Sequence, residues 1–151
     1  MKQLGKIIFV IITITSPLFA QNETQHIRKV VETADDSKFW YDASDLDTMK
    51  GDKFNIWILE THRPPVKYEG IEGEVYRSKT LYCINITTVK YGILKIRYYD
   101  VNNKETYSFD YDVPPPPEII RYTYPITENS LLHYLLKELY GNDELKTNKE
   151  F

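Results

Sequence analysis

The sequence predicts an α+β fold in which a leader precedes a β-rich domain that ends in a helix. Three features predict it: an apolar stretch within the first twenty residues, alternating apolar and polar residues through the middle, and leucines at helical spacing near the C terminus. Alternation places successive side chains on opposite faces of a strand, whereas helical spacing gathers them on one stripe. We therefore expect a sheet with a C-terminal helix packed on it.

The first twenty residues have the pattern of a secretory signal peptide. Met1–Lys6 contains two lysines, and Ile7–Ala20 is apolar up to a small residue. A positive segment, a short apolar run and a small residue at the cleavage position are typical of such leaders, and a run this short barely crosses a bilayer core, which needs about 20 apolar residues. We expect cleavage after Ala20 and a mature chain, beginning near Gln21, that is exported and has no stable membrane span.

The remaining 131 residues are enough for one domain with one hydrophobic core. Loss of Lys2 and Lys6 takes the formal charge from −3 to −5, and the other basic residues are scattered among acidic ones, so nucleic acid is a poor partner. The only cysteine is Cys83, which excludes an internal disulfide. We expect this thiol to be buried in the core.

The elements before the long strands are short. Residues 21–38 are polar, with apolar positions spaced for one side of a short helix at Ile27, Val30 and Val31. A short strand follows at 39–42, and then a loop that contains Asp45 and Asp47 leads to the turn at 50–52.

Alternating patterns then predict four strands in succession, at 53–60, 77–89, 93–100 and 106–111. His62-Arg63-Pro64-Pro65 is expected to end the first of them, because proline cannot donate to a ladder, and Val66–Glu74 is expected to be a mobile loop. Val101-Asn102-Asn103 supplies turn residues between the last two strands, which therefore form a β-hairpin.

The C-terminal region is predicted to hold one more strand and the helix. Pro114–Pro117 must be an extended connector, and Ile119–Tyr124 is a short strand. Asn129 can cap a helix that Gly141 ends, and 142–151 is a charged, flexible tail. The helix has one apolar stripe, formed by Leu131, Leu132, Leu135, Leu136 and Leu139.

No residue cluster carries a recognisable catalytic or metal-binding pattern. Asp42, Asp45 and Asp47 lack the spacing of an EF-hand loop, which leaves loop capping or an irregular cation site as interpretations. The three histidines are not at ligand spacing with one another or with the cysteine, and neither a Gly-x-Ser-x-Gly turn nor a phosphate-binding glycine loop occurs. We expect no cofactor, no metal and no enzymatic activity.

The chain has thirteen tyrosines, and twelve of them lie between Tyr68 and Tyr140. Tyrosine favours half-buried pleated surfaces, and it also dominates recognition surfaces because its rigid ring supplies contact area at low entropic cost. Both uses remain open from the sequence.

Several segments, in order, resemble the surface-adhesin protein E domain family of Gram-negative bacteria. The matching segments are Phe39–Leu46 (FWYDASDL), Phe54–Leu59 (FNIWIL), Arg77–Thr80 (RSKT), Ile93–Asp100 (ILKIRYYD) and Tyr124–Ser130 (YPITENS). The family often carries a cysteine in the central strand and another in the last helix. Here Ile86 and the helix leucines take those places, so the chain resembles a divergent member without that cysteine pair.

The resemblance, covering residues 39–141, implies an antiparallel sheet of about six strands with a C-terminal helix on one face. It also implies a binding role, because the namesake protein attaches to host matrix and serum proteins. The expected function is therefore an exported, adhesin-like, non-catalytic module in the periplasm, at the cell surface or secreted, with a host matrix or envelope protein as partner. The alternative is a periplasmic structural or envelope-maintenance domain that self-associates, for example as a homodimer, along a sheet edge.

No binding residue is carried over from the family. From the residues alone, we expect exposed tyrosines and the Pro64–Gly73 loop to contact the partner. The candidate binding residues are His62, Arg63, Tyr68 and Tyr76.

Overall fold

The computed structural model describes residues 28–32, 38–44 and 51–147, and the predicted signal peptide lies outside these residues. The elements are β1 (Arg28–Glu32), β2 (Lys38–Asp42), β3 (Lys53–Val66), β4 (Val75–Asn85), β5 (Lys90–Tyr99), β6 (Glu105–Asp110), α1 (Glu118–Arg121), β7 (Tyr124–Pro125) and α2 (Leu131–Thr147).

The strands form one antiparallel sheet in which chain neighbours are also spatial neighbours. The order is β1-β2-β3-β4-β5-β6, and the two-residue β7 pairs with the start of β5. The hairpin predicted around Val101 to Asn103 joins β5 to β6, with Tyr98 opposite Tyr107. The expectation of an α+β fold with an antiparallel sheet of about six strands and a C-terminal helix is confirmed for the described residues.

The hydrophobic core lies between α2 and one face of the sheet, called the helix face from here on. Leu132, Leu135 and Leu136 of the predicted leucine stripe are buried there. Their partners are alternate residues of four strands: Val31, Phe39, Tyr41, Phe54, Ile56, Ile58 and Ile84. Burying each such side chain contributes about 1.5–3 kcal/mol, so this contact dominates the stability of the fold.

The N-terminal segment differs from the prediction, because residues 28–32 form a strand instead of a short helix. Val31 is buried against the core while Val30 is 48% exposed, which is the alternation of a strand. Two adjacent β-branched residues favour a strand, and three apolar positions are too few to separate a helical period from a period of two.

The prediction that the prolines end β3 is also wrong. The strand continues to Val66, which pairs with Val75 of β4. The register shifts between Thr61 and Val66, so the irregular stretch that contains both prolines makes no regular pairs with β4. The expected loop is reduced to the residues between Val66 and Val75.

The segment predicted as a strand at 119–124 begins instead as the short helix α1. The backbone N–H groups of Ile120 and Arg121 donate to the carbonyl oxygen of Pro117, which starts a helical turn. Only Tyr124 and Pro125 remain extended, as β7. The fixed backbone of proline suits the start of a helix, and that preference overrides the apolar pattern of the two isoleucines.

Gly92 allows α1 to lie directly against β5. A Cβ atom built at this position would be 1.9 Å from the carbonyl oxygen of Arg121, a distance no side chain can occupy. The Cys83 thiol donates to the same oxygen, with 3.4 Å between Sγ and O. Gly92 falls between the predicted strands at 77–89 and 93–100, but in the structure it lies inside β5, where its missing side chain permits this close approach.

The ends of α2 differ slightly from the prediction. Ser130 caps the helix through a 3.3 Å bond from the His133 N–H to its hydroxyl, whereas Asn129 has φ 61° and its N–H donates to His133 Nδ1. Gly141 breaks the helical geometry as predicted, with φ 75° and ψ 170°. Residues 142–147 of the expected flexible tail are helical, and 148–151 lie outside the described residues.

Candidate functional site

Three of the four candidate residues lie around the irregular part of β3. His62 and Arg63 line two neighbouring cavities of about 700 and 570 Å³, and Tyr76 lines the smaller one. The shared wall is formed by Thr61, His62, Arg63 and Pro64, so the cavities lie on two sides of one stretch of backbone. The register shift that takes the prolines out of the ladder is what opens this region.

A buried polar cluster lies beside the larger cavity. His62 Nε2 is 3.0 Å from the Ser78 hydroxyl oxygen, and Ser78 is only 5% exposed. Glu60 lies directly opposite Ser78 in the β3–β4 ladder and accepts a hydrogen bond from its hydroxyl. Burial is the main influence on the Glu60 carboxyl and raises its pKa, while His62 and Ser78 oppose the rise.

The order of this cluster determines what it can do chemically. A serine nucleophile needs the imidazole between the hydroxyl and the carboxylate, so that the imidazole can accept the hydroxyl proton. In this protein the hydroxyl of Ser78 lies between Glu60 and His62, and it is buried. The cluster therefore ties β3 to β4 and does not present the serine as a nucleophile.

Tyr68, the fourth candidate, belongs to a different group of side chains. Its ring stacks on Tyr98 with 4.9 Å between centroids. Tyr98 in turn contacts Phe109, which lies between Tyr107 at 4.8 Å and Tyr111 at 5.9 Å. We call these five residues, Tyr68, Tyr98, Tyr107, Phe109 and Tyr111, the aromatic patch.

Strand alternation explains why the aromatic patch forms. Tyr107, Phe109 and Tyr111 are two residues apart, so their side chains share a face of β6 and the residues after it. Tyr98 is paired with both Ser78 and Tyr107, which puts the patch on the helix face, beyond the core beneath α2. The alternation of Tyr107, Phe109 and Tyr111 was visible in the sequence, but their contact with Tyr68 was not.

In the aromatic patch, a buried tyrosine ring lies beneath rings that are exposed. Tyr98 is 9% exposed, whereas the rings around it reach 37% for Tyr68, 42% for Tyr107 and 51% for Tyr111. Burial, followed by the neighbouring tyrosines and Glu60, raises the pKa of the Tyr98 hydroxyl. The Tyr98 hydroxyl therefore stays uncharged at neutral pH, and its buried ring supports the exposed rings of the aromatic patch beside the polar cluster.

Asp42, Cys83 and His133, which the sequence analysis also considered, have structural roles. The carboxylate of Asp42 accepts hydrogen bonds from the backbone and hydroxyl of Ser44, while Asp45 and Asp47 lie outside the described residues. Cys83 is fully buried as predicted, and burial raises the pKa of its thiol, which suppresses the reactive thiolate. Nδ1 of His133 accepts a hydrogen bond from the backbone N–H of Asn129, just before α2. His26 lies outside the described residues.

The described part of the chain has neither a metal-binding cluster nor a membrane-spanning helix. No group of three or more histidine, cysteine, aspartate or glutamate side chains there is arranged to hold a metal ion. No helix within residues 28–32, 38–44 and 51–147 has the length and apolar character needed to span a bilayer.

Comparison with protein families, with curated proteins and with solved structures finds no match to this chain. The resemblance to the surface-adhesin protein E family therefore rests on the sequence segments given above and stays a prediction.

Proposed function

We propose that this chain is an exported, non-catalytic module that binds another protein through the aromatic patch. The observation that carries the proposal is the contiguous set of exposed tyrosine rings, which pack on the more buried rings of Tyr98 and Phe109. Isolated exposed apolar residues are common on protein surfaces, but a connected and rigid group marks a recognition surface. The resemblance to an adhesin domain supports the same function.

The chemistry of the aromatic patch favours a protein partner with an apolar surface. Tyrosine offers a large ring for burial and a hydroxyl that can hydrogen-bond at the rim, and it loses little rotamer freedom on binding. The support of Tyr98 beneath the exposed rings reduces that cost further, because the rings are already ordered by their neighbours. The cavities at His62 and Arg63 lie beside this surface and add polar contacts.

Binding of purified protein to immobilised laminin and vitronectin tests the proposal. These two probes represent the matrix and serum proteins that the family resemblance implies as partners. Replacing Tyr107 and Tyr111 with alanine should weaken binding by about tenfold or more, the usual loss when a tyrosine hot spot is truncated. The matched control is Tyr124→Ala, since Tyr124 is 52% exposed but contacts Tyr91 outside the aromatic patch.

Saturable binding that the double variant loses and the control keeps would support the proposal. Equal affinities of the double variant and the unchanged protein would contradict a role of the aromatic patch. Absence of saturable binding to either probe would count against an adhesin-like partner.

The alternative function is self-association along the sheet edge as a periplasmic structural domain. Among the described residues, β6 forms one border of the sheet, but it is only six residues long and its register shifts near Tyr99. Glu105 and Asp110 place charges at its two ends. Short, irregular and charged edges resist pairing with a second copy. Light scattering over a concentration series should therefore give a monomer, and a dimer would favour the alternative.

Export is the part of the proposal that rests on the leader sequence. Fractionation of the producing cell, with N-terminal sequencing of the recovered protein, should find a chain that begins near Gln21 in the periplasm, at the surface or in the medium. Recovery of the intact chain from the cytosol would contradict it.

A further inference from the structure

The rings of the aromatic patch lie in two nearly perpendicular orientations. The Phe109 ring is tilted by 87° to Tyr98 and by only 6° to Tyr111, so the rings of Tyr98 and Tyr111 are also nearly perpendicular. Tyr68 follows the orientation of Tyr98, with 26° between the two ring planes. Tyr68 and Tyr111, at the two ends of this row, are the exposed members. The aromatic patch therefore offers a partner ring surfaces of two orientations.

The loop that carries Tyr68 is acidic. From Lys67 to Glu74 its sequence is KYEGIEGE, in which three glutamates stand against one lysine. Glu74 forms an ion pair with Lys67 at 3.5 Å, and the other two glutamates, Glu69 and Glu72, are exposed. The stack of the Tyr68 ring on the patch holds this loop beside the exposed rings. Carboxylates therefore flank the aromatic patch on the side of the loop.

A turn fixes Glu69 next to the Tyr68 ring. The backbone N–H of Ile71 donates to the carbonyl oxygen of Tyr68 at 3.2 Å, which makes Glu69 and Gly70 the central residues of a tight turn. Gly70 has φ 79°, a conformation that glycine adopts without strain. Because one turn holds the ring and the carboxylate, both can act on the same ligand.

Tyrosine rings and carboxylates together favour a cationic group. The faces of aromatic rings attract a guanidinium or an ammonium within about 6 Å of the ring centre. The chain itself contains such a contact, since the Lys137 ammonium lies 5.9 Å from the centre of the Tyr134 ring. Arginine and lysine also have apolar stems, which pack along a ring while the charged end stays hydrated. A basic side chain thus satisfies both the rings and the neighbouring carboxylates.

We propose that the aromatic patch binds a basic segment of the partner protein, whose arginine or lysine side chains lie on the rings of Tyr68 and Tyr111 beside the carboxylates of Glu69 and Glu72. This inference rests on the proposed protein-binding function and specifies the chemistry of the partner. Charge complementarity supports it, because the loop beside the rings is acidic and the whole chain has a formal charge of −3.

A wholly apolar partner segment fits this surface less well than a basic one. Contact with the Tyr68 ring brings a partner next to Glu69, the residue that follows it in the turn. An apolar segment would remove water from that carboxylate without replacing its hydrogen bonds, which costs free energy. A basic segment supplies a counter-charge at the same place, so contact with the rings and pairing with the carboxylates reinforce each other.

Fluorescence anisotropy of a labelled peptide of alternating arginine and serine, titrated with the purified protein, tests the proposal. The matched ligand has citrulline in place of arginine, which keeps the shape of the side chain and removes its charge. We expect the arginine peptide to bind about tenfold more tightly at low salt. The difference should shrink as salt is added, because the attraction of the exposed carboxylates is screened.

Ring substitutions test whether the preference for arginine comes from the aromatic faces. Tyr68→Leu combined with Tyr111→Leu keeps apolar side chains but removes the aromatic faces, and it should reduce the preference for arginine to about twofold or less. Tyr68→Phe combined with Tyr111→Phe keeps the ring faces and should retain most of it. Thermal unfolding of both pairs separates loss of recognition from loss of folding.

Charge substitutions test the contribution of the loop. Glu69→Gln combined with Glu72→Gln should weaken binding of the arginine peptide about threefold or more at low salt. The control pair Glu32→Gln and Glu138→Gln removes the same charge from exposed positions outside the aromatic patch and its loop, and it should keep the affinity. Equal affinities of the two glutamine pairs would overturn the assigned role of the loop.

The outcomes distinguish this inference from the proposed function on which it rests. Equal binding of the arginine and citrulline peptides, no binding of either, or a preference for arginine that survives in the leucine pair would overturn the basic partner. If the alanine variant of Tyr107 and Tyr111 still loses laminin or vitronectin in that case, the proposed function stands with an uncharged partner segment. A preference for arginine that the leucine pair loses and the phenylalanine pair keeps would support the basic partner.

Discussion

The two faces of the sheet are built from the same strands but have opposite surface chemistry. On the helix face, α2 covers the apolar core residues of β1 to β4, and the aromatic patch continues beyond it on β5 and β6. On the opposite face, charged residues alternate with those core positions, and the short helix α1 packs near Gly92. Period-two alternation thus gives one set of strands an apolar, tyrosine-rich side and a charged side.

The comparison also separates residues that stabilise the fold from residues available to a partner. Leu135, on the side of α2 that packs on the sheet, has no exposed surface, whereas Tyr111 in the aromatic patch is half exposed. Substitutions on the two faces should therefore differ in whether they change the free energy of unfolding or the affinity for a partner. The following predictions test that separation, beginning with the largest expected effect.

Leu135→Ala should lower the free energy of unfolding by about 2–5 kcal/mol, because it leaves a cavity between α2 and the helix face. Urea denaturation followed by circular dichroism measures the loss. Leu139→Ala, at the partly buried margin of the same stripe, is the matched control and should cost clearly less. A loss below about 1 kcal/mol for Leu135→Ala would mean that α2 is not seated on the sheet as described.

Gly92→Ala should lower the free energy of unfolding by about 1–3 kcal/mol, because the new methyl group meets the Arg121 carbonyl oxygen and pushes α1 off the opposite face. Adding Cys83→Ala removes the Sγ atom, 3.1 Å from the same methyl position, but leaves the backbone oxygen in place. Thermal unfolding of the single and double variants should consequently show little rescue. Full rescue would assign the clash to the thiol and not to the backbone of α1.

Glu60→Gln should change how stability depends on pH, with a smaller effect than the two core substitutions. Burial raises the pKa of Glu60 above its ordinary value of 4.5, so the folded chain holds this proton more tightly than the unfolded chain does. The free energy of unfolding of the unchanged protein should fall as pH rises from 4.5 through the raised pKa, and glutamine should remove that part of the decline. Urea titrations from acidic to neutral pH measure it.

Ser78→Ala provides a sharper control for the same carboxyl group. The Ser78 hydroxyl lowers the pKa of Glu60, so its removal should move the decline in stability to higher pH. An identical pH dependence in all three proteins would show that Glu60 is not buried beside the aromatic patch.

The sequence predicted the longer elements well and the short ones poorly. β5, β6 and the leucine stripe of α2 have strong periodicity, so tertiary packing confirms the local preference. β1 and α1 contain four or five residues each, and their patterns fit more than one element. Their conformation is decided by neighbours: β1 by pairing with β2, and α1 by the Pro117 carbonyl and its approach to Gly92.

The candidate sites, too, were predictable only where a local sequence pattern marked them. His62 and Arg63 stand beside the prolines and Tyr76 was a candidate as an exposed tyrosine, and the structure brings all three to neighbouring cavities. Glu60 and Ser78 carried no signal in the sequence, because they come together only through the register of β3 with β4. The basic residues look scattered along the chain, yet the β4–β5 register gathers four of them on one face.

Local periodicity and turn chemistry alone determined that this protein alternates strands through its middle, joins two of them in a hairpin and ends in a leucine-striped helix. Tertiary structure alone decided which tyrosines touch, which carboxyl is buried and which basic residues share a face. The physical reason is that a strand specifies which side each residue faces, while the pairing register between distant strands specifies what lies next to it.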